Sequence, residues 1–119
     1  MKYMLIIAAA EEGQLAMGTP EAEAYFGAYM AFNAEIVAQG VYLAGEPLQP
    51  AATATTVRSA GGKVILSDGP FAETKEQIGG AYIVECADLD EALSWASRVP
   101  VVALGYGAVE VRPCVDYGG

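Results

Sequence analysis

At 119 residues the chain is long enough for one domain with a real core, without disulfide or metal staples. Hydrophobic residues make up 54%, which excludes an intrinsically disordered chain. Six basic against fifteen acidic residues give a formal charge of −9, and the six are scattered. Phosphate binding needs clustered Lys and Arg, so the balance argues against nucleic acid and anionic membrane as partners.

Met4 to Ala9 reads as a strand apolar enough to be central. The run from Tyr3 to Ala10 is too short to cross a bilayer, and Glu11 and Glu12 follow at once. A buried strand therefore fits better than a signal peptide. No other run approaches transmembrane length, and a soluble, cytoplasmic protein is expected. A loop from Gly13 to Gly18 leads into Thr19-Pro20-Glu21, which places an N-cap, a first-turn proline and an acid at a helix start. That helix runs to about Gln39 and is closed by Gly40. Tyr25, Tyr29, Phe32, Ile36 and Val37 recur at helical spacing and mark its core stripe.

Val41 to Ala44 forms a second strand, interrupted by the turn-prone Gly45-Glu46-Pro47. Ala54 to Ser59 and Lys63 to Ser67 flank Ala60-Gly61-Gly62, a hairpin signal. Gly79-Gly80 either lets a ligand approach the backbone or, the preferred reading, opens the next strand with a bulge. That strand runs from Gly80 to Cys86. Asp88 caps a helix from Leu89 to about Val99, with Glu91 completing a capping box and Leu93 and Trp95 as anchors. Pro100 to Gly107 reads as a loop and Ala108 to Arg112 as the last strand.

The order β-α-β-hairpin-β-α-β predicts one α+β domain over residues 1–119. It is a ferredoxin-like antiparallel sheet with two helices on one face and an inserted β-hairpin. The other face stays uncovered, and a chain this apolar does not easily leave it wet. A homodimer by sheet-to-sheet contact, a dimeric α+β barrel, is expected.

The chain has no histidine, which excludes a Ser-His-Asp triad, histidine acid–base work and His-ligated zinc. Cys86 and Cys114 lack metal-ligand spacing and read as small buried hydrophobes. No GxGxxG, P-loop or metal cluster occurs, so no cofactor is expected. Chemistry then falls to carboxylates, lysine, tyrosine or backbone groups. Asp68 follows a strand and precedes the rigid Gly69-Pro70 turn, as either a held general base or the cap of its own turn. Glu46, bracketed by Gly45 and Pro47, is the candidate partner acid, since two carboxylates on one cleft push their pKa values apart. Lys75 and Arg112 are candidate clamps for a substrate carboxylate, and Tyr3, Tyr82 and Tyr106 are candidate donors. Each has a plainer reading: a Glu46–Arg112 ion pair, a solvated Lys75, packed tyrosines. Phe71 is expected to anchor its loop inward, beside the ligand.

Asp68-Gly69-Pro70-Phe71-Ala72-Glu73-Thr74-Lys75-Glu76 combines an acid, a forced turn, an aromatic and alternating charges in one connector. The nonapeptide resembles the signature of the DGPFAETKE (DGPF) family, a branch of the YCII-related proteins. Lys2-Tyr3-Met4-Leu5, Gly45 to Pro50, Ala54 to Arg58, Gly79-Gly80 and Val109 to Pro113 extend the likeness over roughly the whole chain. The resemblance implies a ferredoxin-like dimeric fold and small-molecule chemistry of the lyase or dehalogenase kind. The wider group's proposed sites pair a histidine with an aspartate, a pattern from which this chain departs. The first expectation is thus an enzyme using carboxylate acid–base chemistry, lyase- or isomerase-like, in a pocket near the dimer seam. The second is a non-catalytic dimeric module that binds a small ligand or a protein and is associated with transcriptional regulation.

Overall fold

The computed structural model describes residues 1–11 and 15–118. Its elements in chain order are β1 (Lys2–Ala9), α1 (Pro20–Ala38), β2 (Tyr42–Pro47), a 3₁₀ turn (Ala51–Thr53), β3 (Thr55–Ala60) and β4 (Lys63–Asp68). They continue with β5 (Gln77–Glu85), α2 (Leu89–Arg98), α3 (Pro100–Ala103) and β6 (Gly107–Pro113). The expected loop from Gly13 begins outside the described residues.

The main sheet has the strand order β2-β5-β1-β6, antiparallel throughout. With α1 linking β1 to β2 and α2 lying between β5 and β6, this is the ferredoxin-like arrangement. Strand alternation sorts the side chains. Tyr3 and Leu5 of β1 and Tyr82 and Val84 of β5 point to the helices and are buried. Met4, Ile6, Ala81 and Ile83 point to the other face, where no helix covers them. Phe32 and Ile36 of α1 and Ala92, Trp95 and Ala96 of α2 close the core from above. Phe32 meets Tyr82 edge-on at 5.6 Å and Trp95 at 6.2 Å, contacts worth about 0.5–1.5 kcal/mol each beyond burial.

Local chemistry sets the element ends. Thr19 accepts from the Ala22 amide at 3.2 Å to cap α1, and Gly40 leaves it at φ +73°. Asp88 accepts from the Glu91 amide at 2.9 Å, while Glu91 accepts from the Ala87 amide. Gly61 and Gly62, at φ +57° and +79°, make the two-residue turn of the β3–β4 hairpin.

Five expectations need correction. Gly45-Glu46-Pro47 makes no turn but continues β2, paired with Tyr82, Ala81 and Gly80 of β5. Val37 is exposed, because one residue past Ile36 the helix has turned 100° from the core. Leu93 is exposed for the same reason, beside the buried Ala92–Trp95–Ala96 face of α2. Pro100 starts the short α3 rather than a loop, since proline suits a first helical position. Phe71 is 70% exposed and does not anchor its loop inward. Backbone acceptors hold that loop instead, with Thr56 donating to the Gly69 carbonyl at 2.8 Å and Arg58 to the Phe71 carbonyl at 3.1 Å.

Candidate functional site

At one end of the main sheet β1 and β2 stop while β5 and β6 begin, and the connector 69–76 joins the sheet there. Backbones crowd at this end. A Cβ on Gly80 would lie 2.9 Å from the Glu46 carbonyl oxygen, so glycine is what lets β2 and β5 pair there. The register slips between Ile7 and Ala8 opposite this point and leaves Gly79 unpaired in β5's ladder to β1. The expected bulge is therefore present, and Gly79 turns its carbonyl to the Leu48 amide at 2.9 Å.

Two clefts flank the last residues of β1. The smaller, about 130 Å³, lies between Ala9, Glu11, Leu48, Pro50, Gln77 and Gly79. The Glu11 carboxylate borders it and accepts from the Ala51 amide at 2.7 Å. The wider cleft, about 690 Å³, is lined by Ala8, Ala10, Thr74, Lys75, Glu76 and Tyr106. Gln77 braces its rim by donating to the carbonyls of Thr74 at 2.8 Å and Ala72 at 3.3 Å.

Behind that rim stands a row of phenols. Tyr106 meets Tyr25 edge-on at 5.0 Å and Tyr25 meets Tyr29 at 5.1 Å, leading from the wider cleft towards the core. Burial pushes the Tyr29 hydroxyl well above its usual range, reinforced by its hydrogen bond with Tyr25. Tyr82 donates to Asn33 Oδ1 at 2.5 Å, and burial pushes its pKa up to about 12, with the Tyr42 and Tyr25 phenols adding to it. These hydroxyls stay protonated donors near neutrality. Burial, then Glu91, pushes the Cys86 thiol up to about 11, so it is no nucleophile. Among the described residues no three His, Cys, Asp or Glu side chains are grouped to hold a metal ion.

The residues singled out from sequence do not assemble in one place. Lys75 lines the wider cleft with Tyr106. Asp68 ends β4 opposite Thr55, exposed, in the two-stranded sheet. Glu46 lies on edge strand β2 opposite Ala81, on the uncovered face of the main sheet. Arg112 lies on the opposite edge strand, β6, and pairs with Glu110 of its own strand at 2.5 Å, so the Glu46–Arg112 pair does not form. Tyr3 is buried under the helices, and Phe71 faces solvent. Sequence reasoning missed Glu11, treating it only as the charge that ends an apolar run. An acid placed directly after a central strand was the available signal.

Ferredoxin-like topology with an open, polar sheet end defines a class of small α+β proteins, and comparison places the chain within it. A model of the YCII-related domain matches residues 1–117, and the chain belongs to the YCII-related family. It is 47% identical over 70 residues to an uncharacterised protein of Rhizobium meliloti (strain 1021), covering 59% of this chain and 56% of that one. The chain thus spans about half the length of the curated relative it matches. Among solved structures it resembles 5-chloro-2-hydroxyhydroquinone dehydrochlorinase of Burkholderia phenoliruptrix, in complex with 2,5-dihydroxybenzoquinone. The TM-score is 0.53 at 17% identity, covering 97% of this chain and 94% of that one. That likeness is one of fold. No described helix is long and apolar enough to cross a membrane.

Proposed function

We propose that this YCII-related chain is a small-molecule enzyme, of the DGPF branch, that works by carboxylate acid–base chemistry at the open sheet end. One observation carries the reading: the signature connector lays Lys75 over the end of β1, in a cleft shared with the Tyr106 phenol. Lysine offers a point charge to a carboxylate or phenolate, and the tyrosine offers a ring face and a hydroxyl. Glu76, which lines the same cleft, is the carboxylate best placed to move a proton. Asp68, Glu46, Arg112, Tyr3 and Phe71 do not line this cleft within one protomer. Asp68 and Glu46 serve in catalysis only where a second copy brings them to it. Such a copy has a natural seat on the uncovered face of Met4, Ile6, Ala81 and Ile83, whose burial favours a sheet-to-sheet homodimer. A non-catalytic ligand-binding module associated with transcriptional regulation is the second reading, and the absence of histidine favours it.

The test is a thermal-shift titration of purified protein with small aromatic and aliphatic carboxylates and phenols, followed by chromatography of the ligand. A ligand at about 100 times its Kd adds roughly 2.7 kcal/mol and moves the midpoint by several degrees. The expected result is a saturable shift that Lys75→Ala abolishes, with conversion of the ligand that Glu76→Gln stops. Recovery of unchanged ligand selects the binding module. Stabilisation indifferent to Lys75→Ala overturns the site.

A further inference from the structure

The connector 69–76 carries both charged groups of the wider cleft, yet no apolar side chain holds it in place. Phe71 faces solvent, and Glu73, Thr74, Lys75 and Glu76 are all exposed, so burial does little to fix Lys75 and Glu76. Polar bonds hold the connector instead. At its start it is tied to β3, with Thr56 donating to the Gly69 carbonyl and Arg58 to the Phe71 carbonyl. At its end the bonds converge on one side chain, Gln77. Its Nε2 donates to the Thr74 carbonyl at 2.8 Å, to Thr74 Oγ1 at 3.2 Å and to the Ala72 carbonyl at 3.3 Å. Thr74 Oγ1 in turn donates to the Glu76 carbonyl at 2.5 Å.

These partners settle which end of the amide faces the connector. Carbonyl oxygens only accept, so the nitrogen must point at them. The Gln77 main chain is itself fixed, opposite Ala9 in the β1–β5 ladder. The sheet therefore reaches out through one amide and pins the carbonyl before Lys75 directly and the carbonyl after it through Thr74. We infer that Gln77 is the positioning residue of the wider cleft: it ties the connector to β5 and so sets where Lys75 and Glu76 stand against Tyr106. This rests on the cleft reading above and adds the group that presents its two charges. Glutamate has the same shape but, ionised, offers no donor to the carbonyls, and leucine offers none at any pH. Without the donor, the connector must be ordered when a ligand arrives, which weakens binding.

Nuclear magnetic resonance of wild type, Gln77→Leu and Gln77→Glu tests the role, with and without 4-hydroxybenzoate, a probe that joins a carboxylate to a phenol. Gln77→Leu should drop the backbone order parameters of Lys75 and Glu76 below about 0.6 and leave those of β1 and β5 as in wild type. The same variant should bind the probe about tenfold more weakly, as expected for the loss of one or two ordinary hydrogen bonds. Gln77→Glu supplies the readout that packing alone would not move. At pH 7 it should match Gln77→Leu. Below about pH 4 its neutral acid regains a donor and connector order should return, with wild type at both pH values as the control. A Gln77→Leu connector as ordered as wild type, or a Gln77→Glu connector whose order ignores pH, overturns the role. Loss of order throughout the sheet would contradict it as well, since Gln77 would then hold the fold rather than the connector. Equal probe affinity in wild type and Gln77→Leu overturns the role and leaves the cleft reading standing. A wild type that binds no probe overturns the cleft reading itself, and Gln77's place in it.

Discussion

The main sheet and the β3–β4 hairpin are both antiparallel ladders of similar strand length, yet they are held in opposite ways. β1 and β5 run beneath two helices, and Leu5 and Val84 have no exposed surface. β3 and β4 have a sound ladder and a well-formed glycine turn but no buried residue. Hydrogen bonds and turn chemistry give the hairpin its shape, while burial gives the sheet its stability. The lesson is that a strand's form and its stabilisation have separate sources.

Mutation sharpens that contrast. The largest loss is expected for Leu5→Ala, a fully buried side chain at the sheet centre, at about 2–5 kcal/mol in denaturant unfolding. Gly80→Ala should cost about 1–3 kcal/mol, because the new methyl meets the Glu46 carbonyl backbone, which cannot swing aside like a side chain. Alkali should act on the body alone. Cys86 and Tyr82 hold their protons in the fold above their ordinary values of 9.0 and 10.0, up to about 11 and about 12. Their contribution is complete below the ordinary values and is lost as pH rises through the folded ones, so the melting temperature should fall between about pH 9 and 12. Over the same logic, iodoacetamide at pH 8 should label the half-buried Cys114 before Cys86. The smallest effect belongs to Leu66→Ala, expected to change protomer stability by no more than about 0.5 kcal/mol. A Leu66→Ala cost comparable to that of Leu5→Ala would break the comparison.

The body was largely legible because its signals are local. Thr19, Pro20, Gly40, Asp88 and the Gly61-Gly62 turn each act within a few residues, and each sits where its chemistry requires. The bulge at Gly79-Gly80 was legible for the same reason. Val37 and Leu93 were misplaced because apolar character alone does not say on which side of a helix a residue falls. The site was hardly legible, since Ala8, Lys75, Glu76 and Tyr106 meet only when the strand ends come together. Phe71 failed for a different reason. Its hydrophobicity argued for burial, but the loop closes through backbone carbonyls and leaves the ring in solvent.

The most direct test of the central contrast is hydrogen exchange read amide by amide across the two ladders. The account predicts that amides of β1 and β5 exchange slowly while those of β3 and β4 exchange fast. Protection of the hairpin equal to that of β1 and β5 would contradict it, because the ribbon would then be held as firmly as the core.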